Sequence, residues 1–150
     1  MNTSVSPRTR LPLRRAALIT GVVFLLVGLL GFVPGVTTNY EAMEFAGHHS
    51  EALLLGVFQV SILHNIVHLL FGLAGIAAYR SWAASRAFLI GGGVVYLLLL
   101  VYGLLVGHES DANFVPLNTA DNWLHLVLGL GMVTLGVVLS RAGEGTRGRA

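Results

Sequence analysis

The sequence predicts an all-α integral membrane protein, a bundle of four spanning helices. Hydrophobic residues make up 55% of the 150 positions and charged residues only 11%, and the mean hydropathy is +0.77. Soluble domains carry about 25% charged residues. The apolar residues are also concentrated in four long runs, and the charges lie between them. A chain of this length fits a single domain.

The distribution of charge predicts the orientation of these helices. All nine basic residues are arginines, and they lie in the N-terminal tail, in the segment 80–86 and in the C-terminal tail. The two other connections hold every acidic residue except Glu144. Basic residues beside spans remain in the cytoplasm, so we expect both termini inside the cell and two acidic outer loops. The absence of Lys, with abundant Ala, Gly, Leu, Val and Arg, indicates a GC-rich bacterial genome and therefore a multi-pass protein of the bacterial cytoplasmic (inner) membrane.

The four apolar runs predict helices at about 13–33, 51–79, 86–106 and 121–140. We expect a disordered basic cytoplasmic tail at 1–12 and a second cytoplasmic tail at 141–150. Ser50 is a candidate N-cap for the second helix, and a short outer helix is expected at 40–46, ended by Gly47. The second helix would be about 43 Å long, so it must tilt or project beyond a hydrocarbon layer of about 30 Å.

The second half of the chain repeats patterns of the first half in the same order. The matched segments are Gly21–Leu26 with Gly93–Leu98, Gly47–Glu51 with Gly107–Asp111, and Asn65–Leu73 with Asn122–Leu130. The third match is the most specific, because Asn and His are costly in lipid. Two spans per unit give both units the same orientation, so we predict two tandem parallel two-helix repeats.

Polar residues inside the predicted spans form the main candidate site. This intramembrane polar cluster comprises Ser61, His64, Asn65, His68, Asn122 and His125. His64, His68 and Gly72 share one helical stripe, as do His125 and Gly129. Because polar side chains avoid lipid, we expect the cluster to bring the second and fourth helices together. The function predicted from it is a non-enzymatic structural or interaction role, with no cofactor.

Other interpretations of the same cluster stay open. His64, His68 and His125 are candidate ligands of haem b, because bis-imidazole ligation needs one His on each of two facing helices. A quinone site is a related redox alternative. Proton or metal transport is another, because His changes charge near neutral pH.

The sequence contains no established catalytic motif. There is no Cys, which excludes thiolate metal sites and cysteine nucleophiles. The outer segments contain Glu44, His48 and Glu51 at helical spacing, with His49 and His108-Glu109 further on. Nitrogen and oxygen groups of this kind can bind metals, but acidic outer loops are the ordinary counterpart of a basic inner side, so we predict no metal site.

The expected partners follow from the same features. The bilayer is the first, and anionic lipid head groups on the cytoplasmic side should attract the arginines. The arginines flank membrane segments without a recognition motif, so nucleic acid is not expected. A second copy of the chain or another membrane protein is a possible partner.

Four sequence runs resemble a family of small bacterial membrane proteins known only as a domain of unknown function. The runs are Gly28–Gly35 (GLLGFVPG), Leu55–Val60 (LGVFQV), Leu63–Gly75 (LHNIVHLLFGLAG) and Asn113–His125 (NFVPLNTADNWLH). The family is frequent in high-GC Gram-positive bacteria. The resemblance implies a membrane protein with about four spans. It implies no activity and no catalytic residue.

Overall fold

The computed structural model describes residues 7–144, and it confirms the all-α bundle that the sequence predicts. Its four helices are α1 (Pro7–Leu30), α2 (Ile62–Ala78), α3 (Trp82–Leu105) and α4 (Thr119–Glu144). Three two-residue strands lie between α1 and α2: β1 (Thr37–Thr38), β2 (Leu53–Leu54) and β3 (Phe58–Gln59).

The outer surface of the bundle is apolar, which suits a membrane protein. Three segments, Leu11–Leu30, Trp82–Leu105 and Thr119–Ala142, are long and apolar enough to cross a bilayer. With 17 residues, α2 is at the short end of the range for a span. Large apolar side chains such as Leu70, Leu98 and Val127 are exposed on the outside. Surfaces of this kind are rare on soluble monomers.

The first helix begins earlier than predicted and the last helix ends later, whereas α1 already ends at Leu30, before the predicted 33. α1 begins at Pro7, so residues 7–12 are helical and not a disordered tail as predicted. Pro12 lies inside the helix. α4 continues to Glu144, past the predicted end at 140. The rest of the two predicted tails, residues 1–6 and 145–150, lies outside the described residues.

The largest difference from the prediction is the start of the second helix. It was expected at Glu51, but α2 begins at Ile62 with Ser61 as its N-cap, whose hydroxyl accepts a hydrogen bond from the His64 amide at 3.1 Å. Ser50, the predicted cap, is fully buried and donates to the Val60 carbonyl. The mostly apolar residues 51–60 are therefore not part of the helix.

This segment supplies β2 and β3, which join β1 in a small antiparallel sheet of the order β1-β2-β3. Leu55 and Gly56, with φ of 54° and 70°, form the tight turn between β2 and β3. A small core of Ala52, Leu54 and Val60 packs beneath the sheet. The expected outer helix at 40–46 is reduced to one 3₁₀ turn, Tyr40–Ala42. A short apolar run fits both a helix and buried strands, so its pattern does not decide between them.

The helices pack as two hairpins, α1 with α2 and α3 with α4. In the first, a Cβ added at Gly72 would lie 2.5 Å from the Leu25 backbone nitrogen. In the second, one added at Gly93 would lie 2.8 Å from the Gly129 carbonyl oxygen. Glycine is therefore what lets each pair of backbones approach so closely.

The two hairpins meet across a central apolar cluster that includes Phe24, Leu89, Tyr96 and Met132. α2 and α4 make almost no direct backbone contact with each other. The prediction that the polar cluster packs α2 directly against α4 is therefore wrong. The stronger helix contacts are those within each hairpin.

Candidate functional site

The predicted polar cluster separates into two kinds of residue. Asn65 and Asn122 each face the preceding helix of their own hairpin, whereas Ser61 and the three histidines line one cavity between the hairpins.

Asn65 is fully buried against α1, where Gly31 leaves room for its side chain. A Cβ added at Gly31 would lie 2.1 Å from the Asn65 Oδ1 atom. The Asn65 amide nitrogen donates weakly to the Met43 sulfur at 3.9 Å, and its Oδ1 atom has no hydrogen-bond partner within residues 7–144. Asn65 therefore fixes the end of the first hairpin next to the small sheet, mainly by its shape.

Asn122 has the same position in the second hairpin. A Cβ added at Gly103 would lie 2.0 Å from the Asn122 Oδ1 atom. Its amide nitrogen donates to the Gly103 carbonyl at 3.2 Å, a bond that Asn65 does not make to Gly31. Asn122 therefore ties α4 to α3 by a hydrogen bond as well as by its shape.

His68 is held between two hydrogen-bond partners. Its Nδ1 atom lies 3.0 Å from the His64 carbonyl oxygen, which can only accept, so Nδ1 carries the proton. The Nε2 atom of the neutral ring therefore accepts from the Tyr96 hydroxyl, at 3.4 Å. The His64 ring stacks on His68 with centroids 4.2 Å apart.

His125 reaches the same place from α4 without a comparable set of partners. Its side chain is only 3% exposed, and its Nδ1 atom has no hydrogen-bond partner in the part of the chain that the structure covers. Its ring meets the Tyr96 ring edge-on, with centroids 5.1 Å apart. Tyr96 is thus the residue that His68 and His125 share. A buried polar atom without a partner is costly to stability.

These groups line an apolar cavity of about 250 Å³. α2, α3, α4 and the segment 114–116 contribute its walls, which comprise Ser61, Leu63, His64, Val67, His68, Phe71, Val95, Tyr96, Leu99, Phe114, Val115, Pro116 and His125. Val67 and Val95 are exposed on the outside of the bundle. The cavity therefore opens between α2 and α3, towards the surface that faces lipid.

A larger and more open crevice of about 530 Å³ lies between the C-terminal end of α3 and the N-terminal end of α4. The Asn122 amide nitrogen at its wall is already bonded to the Gly103 carbonyl. Trp123 and His108, which also line it, are exposed. The smaller cavity is the better candidate site, because three imidazoles and a phenol converge there.

Sequence reasoning missed two parts of this cavity. Tyr96 was not selected, although the repeat aligns it with Phe24 and so marks a hydroxyl in an otherwise matching apolar run. The two rings stack at 5.2 Å in the structure. The segment 114–116 was also missed, because nothing in an apolar loop sequence shows that it folds over a cavity.

Asp121 was counted with the acids of the outer loop, but it is buried at the start of α4. Asp121 and Asn118 form a reciprocal capping box, in which each side chain accepts from the other's backbone amide at 3.0 Å. The Asp121 carboxylate also accepts from the Gln59 amide at 3.1 Å. Gln59, expected within a spanning helix, therefore connects the small sheet to α4.

The haem interpretation can be tested against this geometry. An axial ligand needs a free ring nitrogen pointing into a slot wide enough for the macrocycle. The His68 Nε2 atom already accepts from Tyr96, and the Tyr96 ring lies against both His68 and His125. The arrangement present does not fit a porphyrin ligated by these two residues.

The fold and its apolar exterior define a helical bundle of the integral membrane class. A family model described as "Domain of unknown function (DUF4383)" matches residues 14–138. The chain belongs to this family, as its four sequence runs indicate. Searches of curated proteins and of solved structures found no match.

Proposed function

We propose that this protein is a non-enzymatic membrane protein that binds a lipid-soluble small molecule in the histidine-lined cavity. The observation that carries the proposal is the meeting of the His64, His68 and His125 imidazoles with the Tyr96 phenol in the walls of one largely apolar cavity. Ligand sites of this type combine apolar walls with a few placed polar groups.

The chemistry of the walls favours a ring compound with a carbonyl or hydroxyl group. Phe71, Val67 and Leu99 offer apolar contacts, and His125 can donate to a carbonyl or accept from a hydroxyl according to its tautomer. A volume of about 250 Å³ suits one substituted ring. A hydrocarbon tail could leave between Val67 and Val95 into the bilayer. An isoprenoid quinone has these properties.

The quinone class is favoured over haem because it needs hydrogen-bonding groups rather than free axial nitrogens. His68 and Tyr96 can keep their mutual bond while a ligand occupies the cavity beside them. The structural role predicted for the whole cluster belongs in this proposal to Asn65 and Asn122, which pack within the hairpins.

Binding can be measured with a short-chain menaquinone analogue in nanodiscs, by equilibrium dialysis. We expect saturable binding that weakens about tenfold in His125→Leu, since a hydrogen bond in an apolar site contributes on the order of 1.4 kcal/mol. His108→Asn, on an exposed residue outside the cavity, is the matched control. Equal binding by the wild type and His125→Leu would refute the proposal, and so would a Soret band in the purified protein.

The matching geometry of the hairpins supports a second proposal, that the chain arose by duplication. Gly31 faces Asn65 as Gly103 faces Asn122. Ser61 and Asn118, aligned by the repeat, both cap helices through the amide three residues later. Each of these pairs agrees with the register of the sequence match.

We further propose four spans in the bacterial inner membrane, with both termini in the cytoplasm and the small sheet outside. The distribution of arginines supports this topology. Since the chain has no Cys, single cysteines can be labelled in intact cells with an impermeant reagent. Glu51→Cys and Glu109→Cys, both at exposed residues, should react, and Ala83→Cys should not. Labelling only at position 83 would reverse the orientation.

The arginines on the proposed cytoplasmic side also support contact with anionic lipid. Arg14 is partly committed within the fold, because its guanidinium lies 4.7 Å from the Tyr79 ring centre and donates to the Tyr79 carbonyl. Its positive charge remains without an acidic partner among the described residues. A juxtamembrane arginine contributes about 1 kcal/mol to binding an anionic surface. A second copy of the chain or another membrane protein remains a proposed partner.

A further inference from the structure

The two outer segments of the chain bring three groups of metal-ligand type together. His48 and His49 lie between β1 and β2, shortly before β2 begins. Asp111 lies in the connection between α3 and α4. One ligand atom from each of the three residues lies within 4.8 Å of the other two. The rings of His48 and His49 are only 4.0 Å apart. From this juxtaposition we propose a divalent transition-metal site that joins the two outer segments.

The backbone around these residues is held by specific contacts. The Gly47 amide donates to the Phe114 carbonyl at 2.8 Å, which fastens one outer segment to the other. Gly47 has a φ of 94°, a conformation that glycine adopts without strain. The side-chain amide nitrogen of Gln59 donates to the His48 carbonyl at 3.1 Å. The two histidines therefore project from a fixed turn.

Asp111 is positioned from the other side by a loop with its own hydrogen bonds. The Asn113 amide donates to the Ser110 carbonyl at 2.8 Å, and the Asn113 side chain donates to the His108 carbonyl at 3.0 Å. Asn113 is buried, so it anchors the loop around Asp111. The Asp111 side chain is exposed and free to rotate towards the histidines.

The ligand set decides which metals fit. Two imidazoles and one carboxylate suit Zn²⁺, Ni²⁺ or Cu²⁺ and not Mg²⁺ or Ca²⁺, which prefer oxygen alone. Bonds of about 2.1 Å around a tetrahedral Zn²⁺ ion place ligand atoms about 3.4 Å apart. Side-chain rotation at the exposed His49 and Asp111 can close the difference from the present spacing. Water would complete the coordination.

The helical spacing of Glu44, His48 and Glu51 does not describe this site. The segment is not a helix, and neither Glu belongs to the group around His48. His48 and His49 lie in one connection between helices and Asp111 lies in another, so no local spacing in the sequence pairs them. Only the tertiary structure brings the three residues together.

The test is Zn²⁺ binding by tag-free, detergent-purified full-length protein, measured by isothermal titration calorimetry. We expect one Zn²⁺ per chain and a loss of at least about tenfold in affinity in His49→Asn and in Asp111→Asn, since changes around metal ligands alone cost about 10–100-fold. His108→Asn, which removes an exposed imidazole of the same loop outside the group, should leave affinity unchanged.

A second measurement examines the ligands directly. Electron paramagnetic resonance of bound Cu²⁺ should report two coordinated nitrogens in the wild type and in Asp111→Asn, and one in His49→Asn. The substitutions are at exposed positions, and circular dichroism will confirm that each variant is helical. Absence of stoichiometric Zn²⁺ binding overturns the proposal. Binding that depends on the histidines but is unchanged in Asp111→Asn overturns the joining of the two segments.

Discussion

The first hairpin, α1 with α2, and the second, α3 with α4, have similar crossings but different connections between their helices. Both crossings depend on glycine at sequence-matched positions, and both place an Asn side chain against a glycine near the connected end. The first connection folds into a three-stranded sheet, whereas the second is an irregular loop that covers the cavity. Close helix contact thus constrains sequence strongly, and the connections can differ while the crossing stays the same.

The largest expected difference between the hairpins is at their tightest contacts. In Gly72→Ala the new Cβ would meet the Leu25 backbone at 2.5 Å, whereas in Gly129→Ala its nearest neighbour is the Leu97 side chain at 2.8 Å. A side chain can move aside more easily than a helix backbone. We expect a loss of about 3 kcal/mol in the free energy of unfolding for Gly72→Ala and about 1 kcal/mol for Gly129→Ala.

Unfolding in mixed micelles with increasing dodecyl sulfate measures both changes. Gly91→Ala and Gly131→Ala are the matched controls, because a Cβ at either position meets nothing within 4 Å. These controls should be neutral or stabilising by up to about 1 kcal/mol, through better helix propensity. A smaller loss for Gly72→Ala than for Gly129→Ala would contradict the described packing of the first hairpin.

The glycine–asparagine contacts should show direct coupling in both hairpins. Gly31→Ala alone should destabilise by about 1–3 kcal/mol, because the new Cβ would overlap the Asn65 amide. Adding Asn65→Ala should recover part of that loss. The coupling energy from the double-mutant cycle should exceed about 0.5 kcal/mol. Additive effects would mean that these two side chains do not compete for the same space.

The two asparagines should differ in what their removal costs. Asn122→Ala loses the bond to the Gly103 carbonyl, whereas Asn65→Ala loses only a weak contact to sulfur. Hydrogen bonds between membrane helices average about 0.6 kcal/mol and reach about 1.7. We expect Asn122→Ala to be the more destabilising by roughly this amount in the same unfolding assay. Equal losses would indicate that the Gly103 bond contributes nothing.

The smallest effect concerns the centre of the bundle. Tyr96→Phe removes the hydroxyl that donates to His68 and leaves the ring stacked on Phe24. We expect a loss of about 0.6 kcal/mol in the free energy of unfolding. Stability and binding of the menaquinone analogue should be measured together. A loss above about 3 kcal/mol would show that the hydroxyl has a larger structural role than one hydrogen bond.

Sequence reasoning worked for the long helices because composition and length identify them. It also grouped Ser61 with the three histidines, which line one cavity in the structure, but it missed Tyr96 and placed the two asparagines in the same group. Asn65 and Asn122 each lie three residues before a His of the cluster, so the sequence placed them on the same helix face. In the structure each Asn side chain instead packs against a glycine at the end of the neighbouring helix. Which face of a helix meets which partner is decided by tertiary packing.

The start of α2 could not be found for a related reason. Ser50 and Ser61 are both acceptable N-caps, and most of the residues between them are apolar. The strand conformation is favoured by contacts that only the fold supplies, such as the Gln59 amide bonded to Asp121 on a different hairpin. The capping box of Asn118 and Asp121 was not predicted, although its partners are only three residues apart and a local pattern of this kind can be found in a sequence.

The stacked pair of Phe24 and Tyr96 has a consequence for how such a bundle can evolve. The pair lies where the two hairpins meet, and the repeat aligns one residue with the other. A homodimer of identical hairpins has to carry the same residue at both positions, so it has either two hydroxyls there or none. A single chain can keep one phenyl and one phenol. Joining the hairpins in one polypeptide therefore permits a centre in which only one of the two hairpins contributes a hydroxyl group.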